Sequence, residues 1–149
     1  MAFKETARSI LSVKGNAVWS VAPEATVYEA LVLLAEKDIG ALPVVSGGKL
    51  EGMFSERDYA RKIVLQGKSS ADTLISQVMS TPVVTVTPDQ TVEECMRIMT
   101  RHRVRHLPVL DGGKLLGVVS IGDLVNAIIS AQAETIQQLS GYISGKYPG

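Results

Sequence analysis

Forty-three consecutive residues of this chain recur at a spacing of 65, with Val18 to Ala60 lying over Val83 to Val125 without a gap. Sixteen of the superposed pairs are identical, and the identities include a set of turn and cap positions: Pro23/Pro88, Thr26/Thr91, Glu29/Glu94, Pro43/Pro108, Gly47/Gly112, Gly48/Gly113, Gly52/Gly117, Ser55/Ser120 and Asp58/Asp123. Prolines, glycines and capping residues fix backbone geometry, so their repetition means that one supersecondary unit is built twice. A unit of roughly 50 to 60 residues is near the size at which a core is only marginally stable alone. The two copies are therefore expected to pack against each other about a pseudo-twofold axis flanked by two related clefts. Paired clefts suggest ligand binding.

Within each copy the signals follow one order. Val18-Trp19-Ser20-Val21 and Val83-Val84-Thr85-Val86 alternate as a short strand that Pro23 or Pro88 ends. Thr26-Val27-Tyr28-Glu29 and Thr91-Val92-Glu93-Glu94 are capping boxes that open helices ending near Lys37 and Arg103. Apolar spacing at Val27, Ala30, Leu31 and Leu34, and at Val92, Cys95, Met96 and Met99, predicts one buried face on each. Leu42 to Val45 and Leu107 to Leu110 then pair through Gly47-Gly48 and Gly112-Gly113 with Leu50 to Phe54 and Leu115 to Val119, a hairpin signal. Ser55 and Ser120 are N-cap candidates for second helices, Glu56 to about Leu65 and Ile121 to about Ala131.

The predicted fold is α+β: two β-α-β-β-α repeats about a pseudo-twofold axis, with helical extensions at both ends. The boundaries read as an N-terminal segment over 1–16, repeats over 17–66 and 81–131, a linker over 67–80 that is briefly helical around Leu74 to Met79, and a C-terminal helix and tail over 132–149. Ile136, Leu139, Tyr142 and Ile143 give that last helix an apolar stripe, for packing on the module or on a second subunit.

Fifteen basic and fifteen acidic side chains cancel, which argues against nucleic-acid binding driven by phosphate neutralisation. The longest apolar run, Ala30 to Ala35, is too short to span a bilayer, and Lys4, Glu5 and Arg8 interrupt the stretch where a signal peptide would lie. Neither a nucleic-acid nor a membrane partner is expected. The single Cys95 cannot form an intramolecular disulfide and suits a reducing compartment, so a cytoplasmic location is the default expectation.

The ordered set of Ala41-Leu42-Pro43-Val44-Val45 and His106-Leu107-Pro108-Val109-Leu110, the Gly-Gly hairpins and the Ser-x-x-Asp pairs resembles the tandem cystathionine-β-synthase-type (CBS) domain pair, or Bateman module, over about Val18 to Ala131. The resemblance implies a stand-alone, non-enzymatic regulatory module that binds AMP, ADP, ATP or NAD, with AMP the first expectation. It also implies a homodimer and an unidentified regulated protein.

It further assigns the aspartates to ribose hydroxyls and the serines to ribose or phosphate. Ser120 and Asp123 would share one cleft with Ala17, Trp19, Gly40, Ala41 and Pro43, whereas Ser55 and Asp58 would face Val83, Val84, Arg105, His106 and Pro108. The chemistry suits the spacing: a carboxylate accepts from two vicinal hydroxyls, and the free N–H groups of a helix start attract phosphate. The plainer reading is a helix cap with Asp at its third position, needing no ligand. Arg105 and His106 make the second cleft the more cationic, so the two should differ in ligand preference. Arg57, Arg105 and Lys14 are candidate phosphate ligands. Lys14 reads more readily as solvated, and Gly122 replaces the arginine present at Arg57.

Other signals carry less. His102 and His106 have helical metal-pair spacing, but a helix-to-strand boundary should separate them and no third ligand joins them. Trp19 and Tyr59 read as packing residues rather than a nucleic-acid stacking platform. No nucleophile, base and orienter occur together. Against the sensor reading stand a ligand-independent interaction or dimerisation module with vestigial clefts and, third, an enzyme acting on the nucleotide.

Overall fold

A computed structural model describes residues 5–15 and 17–143, with side chains to Gln132. Both copies build the same unit. Helix α2 (Val27–Lys37) is followed by the hairpin β1 (Ala41–Ser46) and β2 (Lys49–Ser55), then by α3 (Glu56–Asp58), which runs on as a π-helical segment, Tyr59–Val64. The second copy has α5 (Val92–His102), the hairpin β3 (His106–Asp111) and β4 (Lys114–Ser120), and α6 (Ile121–Ile143). Outside the duplication lie α1 (Ala7–Lys14) and the short α4 (Ile75–Val78).

The punctuation residues act as their chemistry requires. Thr26 and Thr91 accept from the backbone N–H of Glu29 and Glu94, whose carboxylates reach back to the threonine N–H groups. Gly47, Gly48, Gly112 and Gly113 all have positive φ, which gives the hairpins their two-residue turns. Asp38 and Arg103 close α2 and α5 in the left-handed conformation at φ 53° and 55°, a position glycine usually fills.

Two hydrophobic clusters result, one per copy, and each is completed by a segment that precedes the other copy. Ala7 and Ile10 of α1 are buried with Val92, Cys95, Leu107, Val119 and Leu124 of the second copy, whereas Ile75 and Val78 of α4 are buried with Val27, Leu42, Phe54 and Ile63 of the first. The backbone bonds match. Val92 N–H donates to Glu5 and Ala7 N–H to Gln90; in the other half Val27 N–H donates to Thr73 and Ile75 N–H to Ala25. Gly52 and Gly117 belong to this crossing, because a Cβ would meet Met79 Sδ at 2.7 Å and Leu11 Cδ2 at 2.8 Å.

Three expectations need correction. The strand read over Val18–Val21 and Val83–Val86 reduces to one parallel bridge per copy, Val21 to Val44 and Val86 to Val109. Val21 N–H donates to Pro43 and Val45 N–H to Val21, with the same pair of bonds around Val86, and each sheet has two strands. The second helix of the second copy does not stop at Ala131 but continues to Ile143, since Ala131-Gln132-Ala133-Glu134 holds no breaker. Its counterpart widens into π geometry, with Leu65 N–H donating to Ala60. The side chains of Ile136, Leu139, Tyr142 and Ile143 lie outside those described.

Candidate functional site

The β2-to-α3 and β4-to-α6 junctions place each Ser-x-x-Asp at a helix start. Ser55 Oγ accepts from Asp58 N–H at 3.1 Å and Ser55 N–H donates to Asp58 Oδ2 at 2.9 Å. Ser120 and Asp123 make the same pair of bonds at 3.1 and 2.8 Å. The capping role is therefore realised in both copies.

Each motif opens onto a cleft between the copies. The larger, about 950 Å³, gathers Ser55, Arg57 and Asp58 with Val83, Val84, Arg105 and His106 across the axis. Pro108, expected there, is buried, gives its carbonyl to Val86 and does not line the cleft. The smaller, about 390 Å³, gathers Ser120 and Asp123 with Lys14, Ala17, Trp19, Gly40, Ala41 and Pro43. Gly40, Ala41 and His106 line both clefts and form a shared wall on the axis, although the family resemblance assigned each to one cleft. Gly40 makes this wall possible: a Cβ there would stand 3.2 Å from His106 Nε2 and 3.3 Å from Glu56 Oε1.

The two carboxylates differ in their partners. Asp58 accepts three hydrogen bonds, from Ser55 N–H and Oγ on one oxygen and from Ser80 Oγ at 2.9 Å on the other, and that second oxygen also pairs with Lys62 Nζ at 3.1 Å. These contacts engage both carboxylate oxygens, so a ribose hydroxyl would compete with Ser80 and Lys62 for the second. Asp123 Oδ2 takes Ser120 N–H and Lys14 Nζ, the latter at 2.8 Å.

Lys14 is not merely solvated. Its ammonium also donates to the Val118 carbonyl at 2.9 Å. Val118 corresponds to Met53, whose carbonyl takes the Ser80 N–H at 2.7 Å in the other half, so one lysine bridges in the smaller cleft what the linker bridges in the larger. Arg57 Nη1 donates to the Arg103 carbonyl at 3.4 Å, and Lys37 Nζ lies 4.0 Å from the centroid of the Trp19 ring. Arg61, Lys62 and Arg103 of the larger cleft and Asp38 of the smaller were not singled out by sequence, although the 65-residue register relates Arg103 to Asp38 and was available to find them.

Burial holds the His106 imidazole below its ordinary pKa of 6.5, with Lys14 and Arg105 adding to the lowering and Asp123 opposing it. An NMR titration is expected to place its midpoint below 6.5. The unfolded chain then binds a proton that the folded chain does not. The residue's contribution to stability is present above that pH and falls away as pH drops through the folded midpoint.

Cys95 offers no chemistry, since burial, with Glu94 adding to it, pushes its thiol up to about 11. Tyr59 packs on the first copy's core. His102 ends α5 and His106 begins β3, so the pair shares no helix face. Among the described residues no three His, Cys, Asp or Glu side chains converge as a metal site, and no helix is long and apolar enough to cross a membrane.

Two hairpin–helix units that enclose a pair of clefts and exchange their leading segments form a tandem-repeat module, and its cleft walls come from both repeats. The chain belongs to the CBS domain family, which it matches over residues 13–65 and 75–130. It is 40% identical over 141 residues to the mitochondrial CBS domain-containing protein CBSX3 of Arabidopsis thaliana, covering 91% of this chain and 68% of that one. With the CBS domain-containing protein YhcV of Bacillus subtilis (strain 168) it shares 37% identity over 116 residues, covering 78% and 82%. A solved CBS-domain protein of Burkholderia ambifaria MC40-6 superposes with a TM-score of 0.81 at 50% identity, covering 85% of this chain and 96% of its own.

Proposed function

We propose that this chain is a non-enzymatic regulatory module that binds adenine nucleotides, AMP, ADP, ATP or NAD, between its two repeats and passes their occupancy to a protein partner as a change in repeat orientation. The observation that carries this reading is the repetition, at two cleft mouths, of a Ser-x-x-Asp carboxylate at a helix start, opposite a wall supplied by the other repeat. A carboxylate and a helix start suit a ribose and a phosphate. Family membership supports it, and a signal-transduction role has been put forward for the Burkholderia relative. Regulation requires that the ligand bind two orientations unequally.

A homodimer is part of the proposal. Ile121, Val125 and Ile129 recur every four residues along α6 and are 37%, 40% and 56% exposed, a stripe that a second copy would cover. A CBS-CP12 protein of bloom-forming cyanobacteria, 28% identical with a TM-score of 0.74, is hexameric. A reducing, cytoplasmic setting suits the buried thiol of Cys95.

Calorimetric titration of the purified chain with AMP, ADP, ATP and NAD is expected to show saturable binding below the millimolar range by at least one of them; no binding by any would refute the reading. One observation favours the second reading, an interaction module with vestigial clefts: both Asp58 oxygens are already engaged by the protein's own groups. In that case partner binding is the same with and without nucleotide.

A further inference from the structure

We propose that the two clefts divide their ligands by charge, the larger taking a nucleoside with two or three phosphates and the smaller a nucleoside with one or none. This rests on the nucleotide-binding reading above and adds which ligand goes where.

The duplication makes the comparison position by position. The larger cleft carries Arg57, Arg61, Lys62, Arg103 and Arg105 against Glu56 and Asp58. In the 65-residue register those five cations correspond to Gly122, Asn126, Ala127, Asp38 and Gly40. Each of these five cations is thus matched by a neutral or acidic residue in the other half. Two of the exchanges, Arg103 for Asp38 and Arg105 for Gly40, lie on the cleft walls themselves.

The smaller cleft has one cation of its own in its lining, Lys14, which comes from outside the duplication and faces Asp38 and Asp123. It is held at 2.8 Å by Asp123 and at 2.9 Å by the Val118 carbonyl. Turning Lys14 toward a phosphate would take a donor from both acceptors, so the phosphate gains less than a free lysine would give. Lys62 of the larger cleft is held likewise, by Asp58 at 3.1 Å and the Val78 carbonyl at 2.8 Å, so the difference between the clefts rests on the arginines. His106 stands on the shared wall and does not offset the difference. The volumes agree, about 950 Å³ against about 390 Å³. Arginine forks suit phosphate oxygens bidentately, and no arginine is among the described residues that line the smaller cleft.

The test is titration with adenosine, AMP, ADP and ATP of the unmodified chain, of Asp123→Ala to isolate the larger cleft and of Asp58→Ala to isolate the smaller, each first shown to melt cooperatively. The Asn substitution replaces either Ala variant that does not. In the larger cleft affinity is expected to rise about tenfold from AMP to ATP, and in the smaller to change by less than about twofold. Adding Arg103→Asp and Arg105→Gly to Asp123→Ala should flatten the rise. Asp38 already adopts φ 53° where Arg103 has 55°, so the exchange brings no new backbone strain.

Equal dependence on phosphate number in the two clefts, or a steeper one in the smaller, overturns the division and leaves nucleotide binding standing. If none of the four ligands binds the unmodified chain, nucleotide binding itself falls and the division with it.

Discussion

Replacing Asp58 by Ala is expected to weaken nucleotide binding in the larger cleft about tenfold to a hundredfold and to leave the smaller cleft unchanged. A charge-assisted hydrogen bond contributes about 1.5 to 3 kcal/mol, and each 1.4 kcal/mol or so is a factor of ten in affinity. The substitution has a second effect, because the same carboxylate holds Ser55 N–H, Ser80 and Lys62. Losing a helix cap lowers stability by roughly 0.5 to 2 kcal/mol. Asp123→Ala separates the two effects. It removes a related cap at the start of α6, so an aspartate that acts only through folding would change both clefts alike in either variant. A cleft-selective loss, read by calorimetry on proteins that melt cooperatively, is the expected result. Unchanged affinity in a folded double variant would refute the ribose assignment without touching the fold.

Phe54→Ala is expected to destabilise the whole chain by about 3 to 5 kcal/mol, and to do so in a single transition. Phe54 is fully buried in the first copy's core, and truncating a buried phenylalanine leaves a cavity that its surroundings fill only in part. The melting temperature should fall by roughly 10 °C for a chain of this length. The crossing of α1 and α4 makes the loss global: unfolding the first copy frees α4 directly and removes the anchor that carries α1 to the second. Differential scanning calorimetry that showed the second copy melting separately at its original temperature would contradict this coupling.

The hairpins and the capped helices were legible because the residues that specify them act locally, whereas the pairing of cleft residues across the repeats came from the family resemblance. A Gly-Gly turn and a Thr-x-x-Glu box need only their own neighbours. What was not legible depends on contacts made far away in the chain. The alternation in Val18 to Val21 reports a preference for extended backbone, but a ladder needs a partner, and only Val21 meets one. Lys14 looked solvated because its acceptors, Asp123 and Val118, are more than a hundred residues away.

The symmetry of the crossing segments was hidden differently. Ala7, Ile10 and Leu11 correspond to Ile75, Val78 and Met79 at a spacing of 68 rather than 65, and they share only apolar character. The duplicated Gly52 and Gly117 were a clue in plain view. A glycine kept in both strands asks what presses on it.

The exchange of leading segments also bears on the order in which the molecule can be made. During synthesis α1 emerges well before the surface it must cover, around Gln90 and Val92, has been made. The first copy likewise waits for α4, which is synthesised after its own hairpin and helix are complete. A nascent chain therefore holds the apolar face of α1 uncovered until the second copy leaves the ribosome. Such a wait exposes sticky surface and slows closure, since long-range contacts must be made before they stabilise anything.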